Sequence, residues 1–236
     1  MVKMDKHFIR IWDIPTRIFH WSLVICVIAA FVTGTIGGSN LIVWHGYFGM
    51  AIIGLLAFRI TWGFVGSTYS RFTQFVPGPG RILAYLRGQW HGHGHNPLGA
   101  FSVLALLAIL IFQGVTGLFS TDDIAFNGPL YRMVSDETSS WLTSLHRKDM
   151  WVIGAFVTLH IAAIIFYTVF KEEDLIEPMI TGKKEVSPDQ ADQSAKPAGI
   201  VALIVALVIA GAVLWIANGG LLSPPPLPPP ESLPAW

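Results

Sequence analysis

Cysteine occurs once in 236 residues, at Cys26, and that scarcity removes several chemistries at once. A single thiol excludes an internal disulfide, a thiolate cluster for iron-sulfur or zinc, and covalent attachment of a prosthetic group through paired thiols. Charge is scarce too: Asp, Glu, Lys and Arg make up 13% of the chain, against about 25% in ordinary soluble domains. Neither sign dominates, because fifteen Lys plus Arg balance fifteen Asp plus Glu, so the balance argues for neither nucleic-acid binding nor a polyacidic tail. Apolar residues reach 53% and mean hydropathy is +0.56. The composition belongs in a bilayer, and its eight histidines are the main supply of metal ligands.

No charged residue occurs between Arg17 and Arg59, Arg87 and Asp122, Asp149 and Lys171, or Lys196 and Glu231. Each interval is long enough to cross hydrocarbon, which takes about 20 apolar residues. The first interval holds two crossings, Ile18 to Ile36 and Leu41 to about Phe64, broken by Gly37-Gly38-Ser39-Asn40. Three more run from about Pro97 to Phe119, Trp141 to Phe170 and Ala198 to Ala217. The reading is an all-α integral membrane protein, with the first helix retained as an anchor rather than cleaved as a signal. Lys and Arg number four at the N-terminus, four in the loop from Arg59 to Arg87 and four between helices four and five, against three between helices three and four. The positive-inside rule then places the N-terminus in the cytoplasm and the C-terminus in the periplasm. Residues 1–17 form a cytoplasmic segment, 18–170 a four-helix core, 171–197 a cytoplasmic linker, 198–217 a fifth helix and 218–236 a proline-rich periplasmic tail. Trp44, Trp62, Trp141 and Trp215 fall near span ends, where indole rings prefer the headgroup region.

Four histidines lie in apolar helices, where a polar ring needs a partner: His20, His45, His146 and His160. The last two are fourteen residues apart on one helix, about four turns, so they project from nearly one face at levels roughly 21 Å apart. Chain direction puts His20 level with His160 towards the cytoplasm, and His45 level with His146 near the outer face. Each pair suits a haem iron with both axial positions filled. One strain remains: His20 is three residues past Arg17, whereas His160 is eleven before Lys171, a mismatch of about 12 Å at helical rise. Helix tilt, and Arg17 placed inside the membrane edge against a haem propionate, would relieve it. Taken singly, any of these histidines could simply hydrogen-bond across helices. Zinc fits less well, since it draws four ligands to one point.

The same residues resemble the bacterial cytochrome b561 and nickel-iron hydrogenase b-type cytochrome family. The resemblance runs from about Ile11 to Lys184 and rests on Trp12-Asp13-Ile14-Pro15-Thr16-Arg17, Phe19-His20-Trp21, Trp44-His45-Gly46-Tyr47 and Gly94-His95-Asn96-Pro97-Leu98-Gly99, with Leu145-His146, Leu159-His160 and Pro178-Met179-Ile180-Thr181-Gly182. It implies a four-helix core holding two b-type haems, with His20, His45, His146 and His160 as axial ligands. It also implies electron transfer between the membrane quinone pool and a periplasmic redox partner, such as a c-type cytochrome or a hydrogenase. The fifth helix, the acidic linker from Glu172 to Asp192 and the proline-rich tail lie beyond the family's common four-helix core.

With both axial positions filled, the chemistry is outer-sphere electron transfer rather than substrate activation at iron. A second reading, implied by a related branch of the family that the chain resembles, is a superoxide:quinone oxidoreductase, for which Arg147 and Lys148 beside His146 would supply cationic attraction, against the local acids Asp122, Asp123, Asp136 and Glu137. A metal or solute transporter is the third reading, but the spans show no paired charges marking a coupling pathway. His91 and His93 read as a solvated loop with metal binding or a quinone site as alternatives, and His95 as a supporting or proton-transfer group. Glycines 46, 49, 54, 114 and 117 permit close approach of a helix or a flat porphyrin. Cys26 reads as a small apolar residue, and the run of prolines from Pro224 to Pro230 as an extended spacer or docking segment.

Overall fold

A computed structural model describes residues 7–222 except 91, 93 and 125, without the side chains of Ser39 and Asp189. His91, His93 and the proline-rich run lie outside the described residues. The chain forms β1 (His7–Arg10), α1 (Ile14–Ile36), α2 (Ser39–Val65), α3 (Phe72–Phe75), α4 (Pro79–Leu86), α5 (Pro97–Leu118), α6 (Asp136–Phe170), α7 (Ile176–Thr181), β2 (Lys183–Val186) and α8 (Ile200–Ala217). Five helices, α1, α2, α5, α6 and α8, are long and apolar enough to span a membrane.

Local chemistry extends two of these spans beyond the uncharged intervals. α1 begins at Ile14 rather than Ile18, because Asp13 Oδ1 accepts from Thr16 N (2.8 Å) and Pro15 occupies the first turn, where a missing N–H costs nothing. α6 begins at Asp136 rather than near Trp141, because Ser135 caps it and Asp136 and Glu137 complement the positive end of the helix dipole. Its 35 residues make a rod of about 52 Å, well beyond the roughly 30 Å of hydrocarbon.

α2 is the hub of the bundle, packing on α1, α5 and α8, while α6 leans mainly on α5. The core gathers Phe19, Ile52, Leu56, Phe58, Trp62, Leu107, Leu110, Ala206 and Ala210. The fifth helix is thus part of the packed bundle: Ala206 is wholly buried, and Leu214 sits where a Cβ on Gly54 would fall, 2.8 Å from its Cδ1. Glycine at 54 therefore serves helix packing. Gly114 likewise faces Ile53, Gly46 faces the Phe126 ring, and Gly49 meets nothing within 4 Å. Cys26 is half-buried against the core.

The end of the bundle where α1 starts carries a folded platform. β1 and β2 pair antiparallel from His7↔Val186 to Arg10↔Lys183, over a small core of Ile9, Ile11 and Trp12. The segment between β2 and α8 is tied back, through Ala195 N to Arg10 O (2.7 Å) and through Thr68 and Lys196, which exchange two hydrogen bonds. At the far end the loop between α5 and α6 is closed by a Thr121–Asn127 bridge and by Asp122 Oδ1 accepting from Ile124 N and Phe126 N.

Candidate functional site

At the far end, α2 and α6 bring His45 and His146 together, with ring centroids 5.9 Å apart and planes perpendicular. Each ring is held in the same way. His45 Nδ1 donates to Ala30 O of α1 at 2.8 Å, and His146 Nδ1 donates to Gln113 O of α5 at 2.9 Å. A carbonyl can only accept, so both Nδ1 atoms carry the proton and both Nε2 atoms keep a lone pair for a metal. Four residues beyond each accepting carbonyl stands a glycine, Gly34 and Gly117. A Cβ tilts towards the helix N-terminus, and here it would come within 2.7 Å of His45 Nδ1 or 2.9 Å of His146 Cε1. Glycine uncovers the carbonyl for the imidazole. Gln113 Nε2 also lies 3.3 Å from His146 Nε2, donating to that same lone pair.

Two metal–imidazole bonds of about 2 Å and two ring radii of about 1.1 Å would set two rings on one metal with centroids roughly 6 Å apart, and the 5.9 Å between His45 and His146 leaves that room. Among the described residues, no three His, Cys, Asp or Glu side chains converge on one point. His45 and His146 could offer a metal two ligands, a set that a porphyrin would complete.

At the N-terminal end, His160 of α6 acts electrostatically on His20 of α1, and both act on His95 just ahead of α5. Near the end of α6, Tyr167 hydrogen-bonds Tyr85 of α4. His95 is the residue whose placement sequence reasoning least anticipated. Half-buried, with its Nδ1 enclosed, it packs against the rings of Trp12 and Phe75 at centroid distances of 4.7 Å each. Burial first, and then Arg59, His160 and His20, push its pKa down to about 3. It is a neutral imidazole.

Arg59 is another surprise. Charge counting makes it a loop cation, but it lies inside α2 with 4% of its surface exposed, its guanidinium over the rings of Phe72 (5.0 Å) and Phe75 (5.8 Å). Trp62 is likewise not a headgroup ring: it is 2% exposed and its Nε1 donates to Asp13 Oδ2 at 3.0 Å. Thr16, Ser67 and Ser70 continue this network, with hydroxyl contacts of 2.8 and 2.9 Å. Arg17 Nη1 donates to Ile180 O and Trp21 Nε1 to Met179 O (3.2 Å), so the Pro178–Gly182 segment is gripped by α1. Arg17 Nε is buried without a partner. Arg147 and Lys148, next to His146 in the chain, line a cavity of about 410 Å³ of which His146 is not part and which they share with Thr143, Trp151 and Asp123. That acid offsets the cationic pull.

The family described as prokaryotic cytochrome b561 matches residues 11–182. The chain is similar to a probable Ni/Fe-hydrogenase 1 B-type cytochrome subunit of Escherichia coli (strain K12), 27% identical over 210 residues, covering 73% of this chain and 88% of the relative. A probable Ni/Fe-hydrogenase B-type cytochrome subunit of Rhizobium leguminosarum bv. viciae is 24% identical over 216 residues, covering 77% and 90%. A protein of the same description from Azotobacter vinelandii is 23% identical over 226 residues, covering 78% and 91%. All four histidines of the two pairs fall within the family match.

Proposed function

The chain belongs to the prokaryotic cytochrome b561 family, as a bacterial membrane b-type cytochrome of electron transport, and we propose that it carries two haems b, one between His45 and His146 and one between His20 and His160. The observation that carries this reading is the matched pair of carbonyl-bound imidazoles at His45 and His146, whose protonated Nδ1 atoms leave each Nε2 a lone pair for iron, the one on His146 being approached here by Gln113 Nε2. The haem iron supplies a one-electron couple when bound. The chain's own residues hold and tune it. Ala30 O and Gln113 O fix the imidazole tautomers and raise their basicity, and the apolar core of α2 and α5 excludes water. Arg17, one turn from His20 with an unpartnered Nε, is placed to meet a propionate.

The N-terminal end, richer in Lys and Arg, faces the cytoplasm. Two stacked sites then move electrons along the membrane normal, between quinone and a periplasmic partner of the hydrogenase or c-type cytochrome class. The relatives' names support a hydrogenase as that partner. Replacing His160 by Ala removes the N-terminal haem and leaves the far spectrum intact, and His146→Ala does the reverse, read by pyridine haemochrome counts and reduced-minus-oxidised spectra. Retention of both haems in either variant rejects the pairing. Quinol that fails to reduce any haem rejects the quinone link, and a superoxide-dependent reduction in its place favours the oxidase reading.

A further inference from the structure

Five polar atoms at the N-terminal end of the bundle are buried and without a partner: Arg17 Nε, His20 Nδ1, Arg59 Nη1, Arg71 Nε and His95 Nδ1. Three are guanidinium nitrogens, which can only donate. A buried cation with an unsatisfied donor is costly unless an anion meets it. Arg59 is the clearest case. Asp13 is the acid that acts on it electrostatically, but its carboxylate is already engaged by Thr16 N, Trp62 Nε1 and Ser70 Oγ, and among the described residues no carboxylate forms an ion pair with Arg59.

The Phe75 ring contacts both the Arg59 guanidinium, 5.8 Å from its centroid, and the His95 ring, at 4.7 Å, so the two side chains gather around one aromatic ring. His95 in turn is within electrostatic reach of His20 and His160. A lipid phosphate would have to come from the surface, and Arg59 is almost wholly enclosed. A porphyrin clasped by His20 and His160 brings its own carboxylates into the bundle.

We infer that Arg59 and His95 form a buried carboxylate site that binds a propionate of the haem held by His20 and His160, an inference that rests on the di-haem reading above. Arg59 supplies the charge and paired donors that a carboxylate matches. His95, wedged between Trp12 and Phe75, supplies a neutral N–H and takes no part in ligating iron.

The test uses the full chain with His146→Ala, so that only the N-terminal site fills, produced under haem depletion and titrated in detergent with haem or with haem dimethyl ester, whose carboxylates are masked. Arg59→Gln is expected to weaken haem uptake by on the order of tenfold or more, to leave ester uptake unchanged, and to lower the midpoint potential of the bound haem. Arg59→Lys should recover part of the loss. His95→Phe should keep the bis-histidine spectrum while losing the same preference for free carboxylates, and it carries the comparison if Arg59→Gln does not fold. Equal losses with both porphyrins, or none with either, would overturn the propionate site while the di-haem reading stands. A parent that takes up no haem would overturn that reading and the site with it.

Discussion

The paired glycines make the sharpest demand on this structure. In Gly34→Ala the new Cβ would stand 2.7 Å from His45 Nδ1 and 2.9 Å from Cε1, and in Gly117→Ala 2.9 Å from His146 Cε1 and 3.2 Å from Nδ1. Ordinary contact requires about 3.4 Å or more, so the His45 ring must retreat by roughly 0.7 Å, which stretches its 2.8 Å bond to Ala30 O beyond the useful range of about 3.2 Å. Removing such a partner from a ligating imidazole costs about 10- to 100-fold in affinity, or roughly 1.4–2.8 kcal/mol. On the proposed ligation, each single variant should therefore lose most of the far haem at limiting haem supply while the site of His20 and His160 stays full. Haem-to-protein ratio by pyridine haemochrome, with potentiometry on whatever far haem remains, reads the effect. Two full haems at unchanged potentials in both variants would show that the glycines do not expose the carbonyls for ligand orientation.

Three further outcomes follow from packing and capping. Asp13→Ala removes the α1 cap and strands Trp62 Nε1, which should cost roughly 2–4 kcal/mol, seen as a lower Tm in detergent; a Tm within a degree of the parent contradicts the network. Gly54→Leu drives a side chain into Leu214 and should loosen α8 by about 1–3 kcal/mol, with faster protease cleavage ahead of Ile200; unchanged cleavage means α8 is not seated there. Tyr85 is pushed up to about 12, first by burial and then by the Tyr167 hydroxyl and Glu173. Its neutral form is the one the fold favours, so its contribution is present below about pH 10 and lost as pH rises towards 12. In alkaline titration of tyrosinate absorbance the last component should vanish in Tyr85→Phe.

The spans were legible because hydrocarbon tolerates almost no charge, and five uncharged helical runs admit little else. The ends were not, because a helix does not stop where the membrane does. Asp13 and Ser135 decide where α1 and α6 start, and both lie outside the apolar intervals. Asp13 before Pro15 is a readable cap signal, and following it would have started α1 four residues earlier. The platform of β1, β2 and the segment before α8 rests on pairings across more than 170 residues, which no local pattern announces.

Helix direction and spacing single out four candidate histidines, but not what supports His45 and His146. Gly34 and Gly117 each follow an accepting carbonyl by four residues, and that relation is visible only once the histidine on the neighbouring helix is known. Arg59 escaped because charge counting treats every arginine at a span end as solvated, whereas the rings of Phe72 and Phe75 fold back over it.

The two ends also differ in the sign of what is left unsatisfied. Guanidinium donors are stranded near His20 and His160, whereas Gln113 Oε1 and Asp149 Oδ2, both acceptors, are stranded on α5 and α6 in the half that holds His146. A cationic surrounding favours the reduced, more electron-rich centre and raises its potential, and the negative ends of acceptor groups do the opposite. On the proposed ligation, the haem of His20 and His160 should therefore titrate at the higher potential, and electrons entering at the far end run downhill towards the basic end. Potentiometry on His146→Ala and His160→Ala, each with one haem left, measures the two values separately. A far haem at the higher potential would mean that these stranded groups do not set the direction of flow.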